Sequence, residues 1–104
     1  MVEAAGHISL FLKGIREEDF VHNEIARSAV LQKLTVIGEA AARLPADFRK
    51  CHPEVDWAAI VSFRNIIVHS YFQIQWSIIW VSATEEVPRL KDQLIRILAL
   101  DFPP

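Results

Sequence analysis

Apolar residues recur along this chain at three- and four-residue spacing and almost nowhere in strict alternation, which predicts helices and argues against strands. The first helix is expected over about residues 2–13, with Ile8, Phe11, Leu12 and Ile15 on one side and Gly14 as its stop; it looks short at its start. Residues 16–20 form an acidic connector, with Glu17, Glu18 and Asp19 in a solvated turn. The second helix has the clearest period: Val30, Leu34, Ile37, Ala41 and Leu44 make one stripe, with Asn23 as N-cap and Pro45 as terminator. At 1.5 Å per residue its roughly twenty residues give a rod of about 30 Å. Gly38 lies inside that stripe at a cost of about 1 kcal/mol against alanine, which close approach of a neighbouring helix would offset.

Residues 45–53 read as a connector with a short helical turn at 47–51. Asp56 caps a third helix with Trp57, Ile60, Val61, Arg64, Ile67 and Val68 along one side, ending near Tyr71. Residues 73–75 link to a fourth helix over about 76–100. Pro88 must kink or divide it, since proline lacks the N–H and crowds the preceding turn. Beyond that point Leu90, Leu94, Ile97 and Leu98 resume the stripe. The expected fold is all-α: an antiparallel, up-and-down bundle of four to five helices.

The chain has 104 residues, enough for one domain over 1–104 with its own core. Its hydrophobic fraction of 52% is somewhat high for a monomer of that size, so a second copy could cover part of the surface. Net charge is −2, against the basic excess of proteins that coat nucleic acid but compatible with a local phosphate pocket. No apolar run is long enough for a membrane span and no secretion signal is visible. With the single Cys51, these features point to a reducing cytoplasm. The four histidines lack a ligand spacing such as H-x-x-x-H, so neither metal nor cofactor is expected.

Candidate chemistry concentrates in Phe63-Arg64-Asn65-Ile66-Ile67-Val68-His69-Ser70-Tyr71-Phe72. Its large apolar residues predict that most of it is buried, yet it carries four polar groups whose burial is costly unless each is paired, so these groups are expected to line a cleft rather than to form a polar core. Asn65 and His69, four apart, share a helix face. Arg64 and His69, five apart, lie roughly 140° around the axis and roughly 7.5 Å along it. A long arginine could reach round, or a second copy of the helix could complete the site across a two-fold seam. Chemically the set suits metal-free RNA cleavage. Histidine can take a proton from a ribose 2′-OH and return one to the leaving 5′-oxygen, while arginine holds the phosphate and Asn65 assists. By spacing alone the signal is weak and a structural role is the favoured one: Arg64 paired with a carboxylate such as Glu39, and His69 capping a helix C-terminus.

Arg64-Asn65-Ile66-Ile67-Val68-His69-Ser70-Tyr71 matches R-x-x-x-x-H-x-Y and resembles the HEPN superfamily as found in HepT-like toxins. Val36-Ile37-Gly38-Glu39-Ala40 is similar to that family's V-I-G-E-A stretch. His52-Pro53-Glu54-Val55-Asp56-Trp57 is similar to its H-P-x-(I/V)-P-W segment, with Asp56 where proline is common. Trp80 and Val87-Pro88-Arg89-Leu90 resemble its last helix. The resemblance implies a homodimeric, metal-independent endoribonuclease toxin, with Arg64 and His69 as catalytic pair in the dimer cleft. It also implies an MntA-type nucleotidyltransferase antitoxin, which in relatives transfers AMP to the motif tyrosine, here Tyr71.

A different class remains open: a non-catalytic helical homodimer whose motif binds nucleotide or a partner. A plain structural helical subunit is a third. Of the other residues, His52 is expected in an exposed loop and His7 and His22 on solvated helix faces. Trp76 and Trp80 are expected in core or dimer packing. Glu39 is expected to pair with Arg64 or Arg43.

Overall fold

The computed structural model describes residues 1–101. Its first helix, α1 (Val2–Phe11), stops two residues before the expected end. Three turn residues follow, and the turn closes at Gly14, whose φ of 78° is the left-handed conformation that side chains disfavour. The acidic connector is one helical turn, α2 (Glu17–Phe20), in which Arg16 pairs with Glu18 at 3.2 Å and Asp19 at 3.5 Å. Helix α3 (Glu24–Arg43) begins where Asn23 accepts a hydrogen bond from the Ala26 amide at 2.9 Å. It ends at Leu44, held extended because the next residue is Pro45. A short α4 (Ala46–Cys51) leads to α5 (Trp57–His69), capped by the Asp56 carboxylate accepting from the Ala59 amide at 3.0 Å.

Helix α5 ends two residues earlier than expected, and a 3-10 turn (Tyr71–Gln73) follows. Then come α6 (Trp76–Val81), a π-helical turn (Ser82–Glu86) and α7 (Val87–Asp101). Pro88 does not divide this run. The disturbance lies just upstream of the proline, in the wider π turn, where the Val87 N–H bonds to the Ser82 carbonyl.

Helix α3 is central: it packs against α1 on one side and α5 on the other, and α1 packs in turn on α7. The buried row Val30, Leu31, Leu34, Ile37, Gly38 and Ala41 serves both neighbours. Phe20 is fully buried and gathers Trp76 and Trp80 at centroid distances of 6.2 and 5.3 Å, so the tryptophans belong to the core. The Arg27 guanidinium lies 4.6 Å over Trp76. The chain is therefore an all-α bundle with four principal helical runs. Helix α5 stands at its edge, with α3 as its one extensive helical neighbour among the described residues.

Candidate active site

The position of α5 decides where its polar residues lie. Trp57, Ile60, Arg64 and Ile67 succeed one another at spacings of three and four, so they form the row turned to α3. Arg64 thus occupies a place in an otherwise apolar row, directly opposite Gly38. A Cβ added at Gly38 would sit 2.7 Å from the Arg64 Cγ and closer still to its Cβ. The glycine in α3 is therefore where the two helices come closest, as its cost in the stripe anticipates.

From that contact the Arg64 side chain runs outward, 21% exposed, and its Nη1 lies 3.6 Å from Glu39 Oε1. Its Nε is buried and has no hydrogen-bond partner among the described residues. Asn65 and His69 lie on the exposed flank of the same helix. Among the described residues the histidine rings that pair with carboxylates are those of His7 and His52, and the His69 ring is left to solvent. Tyr71, 49% exposed, sits on the 3-10 turn with its ring edge-on to Phe72 at 5.7 Å. Arg64 and His69 share one regular helix, so they stand about 140° apart around its axis, and the chain by itself leaves them on different faces. A cleft of about 420 Å³ runs along the other flank of α5, walled by Ile60 and Phe63 on one side and Leu90 and Gln93 on the other. None of Arg64, Asn65, His69 and Tyr71 lines it.

Three expectations are corrected here. The segment from Phe63 to Phe72 is largely exposed rather than buried: Ile66 is 53%, Val68 48% and Phe72 99% accessible, and only Ile67 is buried. Apolar character implies burial only where a second element arrives, and among the described residues none does on this edge. His52 is buried rather than in an exposed loop. Its Nε2 lies 2.7 Å from Asp101 Oδ2 and its Nδ1 3.4 Å from Glu54 Oε1, while its carbonyl accepts from Trp57 Nε1 at 3.0 Å. The hydrogen bond to Asp101 raises its pKa above the ordinary 6.5, with burial opposing. No local pattern announces a partner 49 positions away. His7 is half-exposed against Glu3 and Phe11, and His22 is exposed in the turn before α3 rather than on a helix face.

The fold and site define a small helical domain whose arginine, asparagine and histidine lie along an edge left open among the described residues. The chain belongs to the HepT-like ribonuclease family: the family profile described as "Ribonuclease HepT-like" matches residues 1–97. It is 36% identical, over 90% of its length and 86% of the relative's, to a protein of Methanocaldococcus jannaschii named as a candidate RNase. A second candidate RNase, from Caldanaerobacter subterraneus subsp. tengcongensis, is 39% identical over 84% of this chain and 78% of that one. The "Probable ribonuclease HepT" of Thermococcus cleftensis is 32% identical over 93% and 88%. No solved structure matches the chain.

Proposed function

We propose that this chain is a metal-independent endoribonuclease, the toxin of a toxin–antitoxin pair, and that it works as a homodimer with Arg64 and His69 facing one another across a two-fold seam. The observation that carries the reading is the open edge of α5. Exposed Asn65 and His69 lie beside exposed Ile66, Val68 and Phe72, and one copy of the helix offers its polar heads in diverging directions. A second copy related by a two-fold axis covers the apolar residues and sets the arginine of one subunit towards the histidine of the other.

In the reaction a neutral His69 takes the proton of a ribose 2′-OH. The 2′-oxygen bonds to phosphorus, the bond from phosphorus to the 5′-oxygen breaks, and a protonated His69 gives its proton to that leaving oxygen. The products are a 2′,3′-cyclic phosphate and a 5′-hydroxyl. The fixed fork of Arg64 donors meets the charge that builds on the non-bridging oxygens, and Asn65 helps hold the phosphate. The partner is a nucleotidyltransferase antitoxin of the MntA type. It silences the enzyme by joining the Tyr71 phenolic oxygen to the α-phosphorus of ATP, with release of pyrophosphate and loss of the phenolic proton. The added negative charge then competes with RNA for Arg64.

A second reading, a dimer that binds nucleotide or partner without cutting, is favoured by the net charge of −2 and by the carboxylate already beside Arg64. One assay separates the two. Purified protein incubated with end-labelled RNA in EDTA is expected to leave 2′,3′-cyclic ends. Arg64→Ala and His69→Ala are each expected to slow cleavage at least about 100-fold. Binding without turnover selects the second reading, and parent-like cleavage by either variant removes the assigned roles.

A further inference from the structure

We infer that Glu39 is a positioning residue for Arg64, an inference that rests on the catalytic role proposed for that arginine. Three features of the α3–α5 contact bear on the side chain in succession. Its Cβ and Cγ lie against the bare Cα of Gly38, where any larger residue would collide with them and would also approach the Ile60 carbonyl to 3.4 Å. One residue further along α3, Glu39 reaches Nη1 of the same guanidinium at 3.6 Å. Between stem and tip, Nε is enclosed with no acceptor. The stem is thus fixed by shape and one amino group is drawn by charge, while the side chain remains 21% exposed, so part of it is open to solvent.

Stability does not account for this arrangement. A pair at 3.6 Å with its carboxylate 45% exposed lies beyond hydrogen-bond length and is screened by water, so it adds little to folding. The buried Nε–H, which like that of Arg27 has no acceptor among the described residues, does not add to folding either, so the arrangement calls for another reason. Orientation supplies one. An arginine that must meet charge on a phosphate benefits from a guanidinium whose plane is set before the substrate arrives. The opposite role for the same carboxylate is a latch that competes with phosphate for the guanidinium. The two roles predict kinetic changes of opposite sign.

The test compares Glu39→Ala, Glu39→Gln and Arg64→Ala with the parent, in EDTA and on one RNA. Glu39→Ala is expected to lower kcat about tenfold with KM within about twofold, because a loosened clamp weakens the transition state more than ground-state binding. Glu39→Gln, which keeps the shape of the side chain and removes its charge, is expected to lose about as much as Glu39→Ala. Both variants should melt with the parent and keep its helix content, and the Arg64 Nε–H resonance should lose protection in Glu39→Ala. A parent-like kcat in Glu39→Ala overturns the inference, as does a fall in KM with faster cleavage, which would make the carboxylate a latch. Arg64→Ala separates the two levels of failure. If it cleaves like the parent, the role of the arginine itself is lost; if it is inactive while Glu39→Ala is parent-like, only the positioning role is lost.

Discussion

Arg64 stands in a row that the chain otherwise fills with Trp57, Ile60 and Ile67, and Gly38 is the residue that makes room for it. Replacing that glycine with alanine sets two effects against each other. Helix propensity gains about 1 kcal/mol, while an overpacked contact costs about 1–3 kcal/mol. The collision is with the root of the Arg64 side chain, which cannot swing away as a flexible tip can, so the cost should prevail. Gly38→Ala is expected to lower stability by about 1 kcal/mol in urea denaturation and to reduce cleavage by displacing the guanidinium. His52 gives a prediction in pH. Its folded-state pKa is raised, so its pairing with Asp101 and Glu54 contributes stability fully below the ordinary value of 6.5 and loses it as pH rises through the raised one. The stability difference between parent and His52→Gln should therefore be larger below pH about 6 than above pH about 8. An equal difference at both ends would detach the pairing from stability.

At the scale of elements, most of the bundle was legible. Asn23 and Asp56 start their helices with side-chain caps, Pro45 stops α3 through the residue before it, and Gly14 turns the chain after α1. These signals are local, and local chemistry decides them. Asp56→Ala is accordingly expected to cost about 1 kcal/mol, seen as a lower urea midpoint, by leaving the first turn of α5 uncapped. What failed to be legible depends on distance along the chain or on a neighbour. Val68 and Phe72 look like core residues by type, but no element among the described residues covers them. The ring of His52 lies against the end of α7, and neither the proline beside it nor its spacing to other histidines signals that. Pro88 announces a break in the last helix, whereas the backbone absorbs it in a π turn. In the candidate site, residue types and register were readable, as was the divergence of Arg64 and His69 on one helix. The close pairing of Gly38 with Arg64 required the packing of two helices.

At the scale of the whole molecule, the described residues form a slab with principal-axis extents of 41, 29 and 17 Å. Leu10, Ile25 and Val36 are exposed singly, Ile78 and Val81 on α6 and Ile95, Leu98 and Leu100 on α7 in small groups, and the fullest group is Ile66, Val68, Tyr71 and Phe72 in one short stretch beside the polar residues, with Phe72 99% accessible. A cluster of that kind marks an association surface, while scattered apolar exposure is ordinary. If a second copy covers it, the paired change Ile66→Glu and Phe72→Glu should turn a dimer into a monomer by light scattering and remove cleavage with it. Dimers that survive the change would place the seam elsewhere. The most direct measurement mixes two inactive proteins. Arg64→Ala and His69→Ala, combined under conditions that exchange subunits, form heterodimers in which one of the two sites regains an intact arginine opposite an intact histidine. With sites shared across the seam, random exchange should restore about a quarter of the parent rate. If the heterodimers form and the mixture stays as inactive as its components, each subunit's arginine and histidine do not work across the seam, and that contradicts the account.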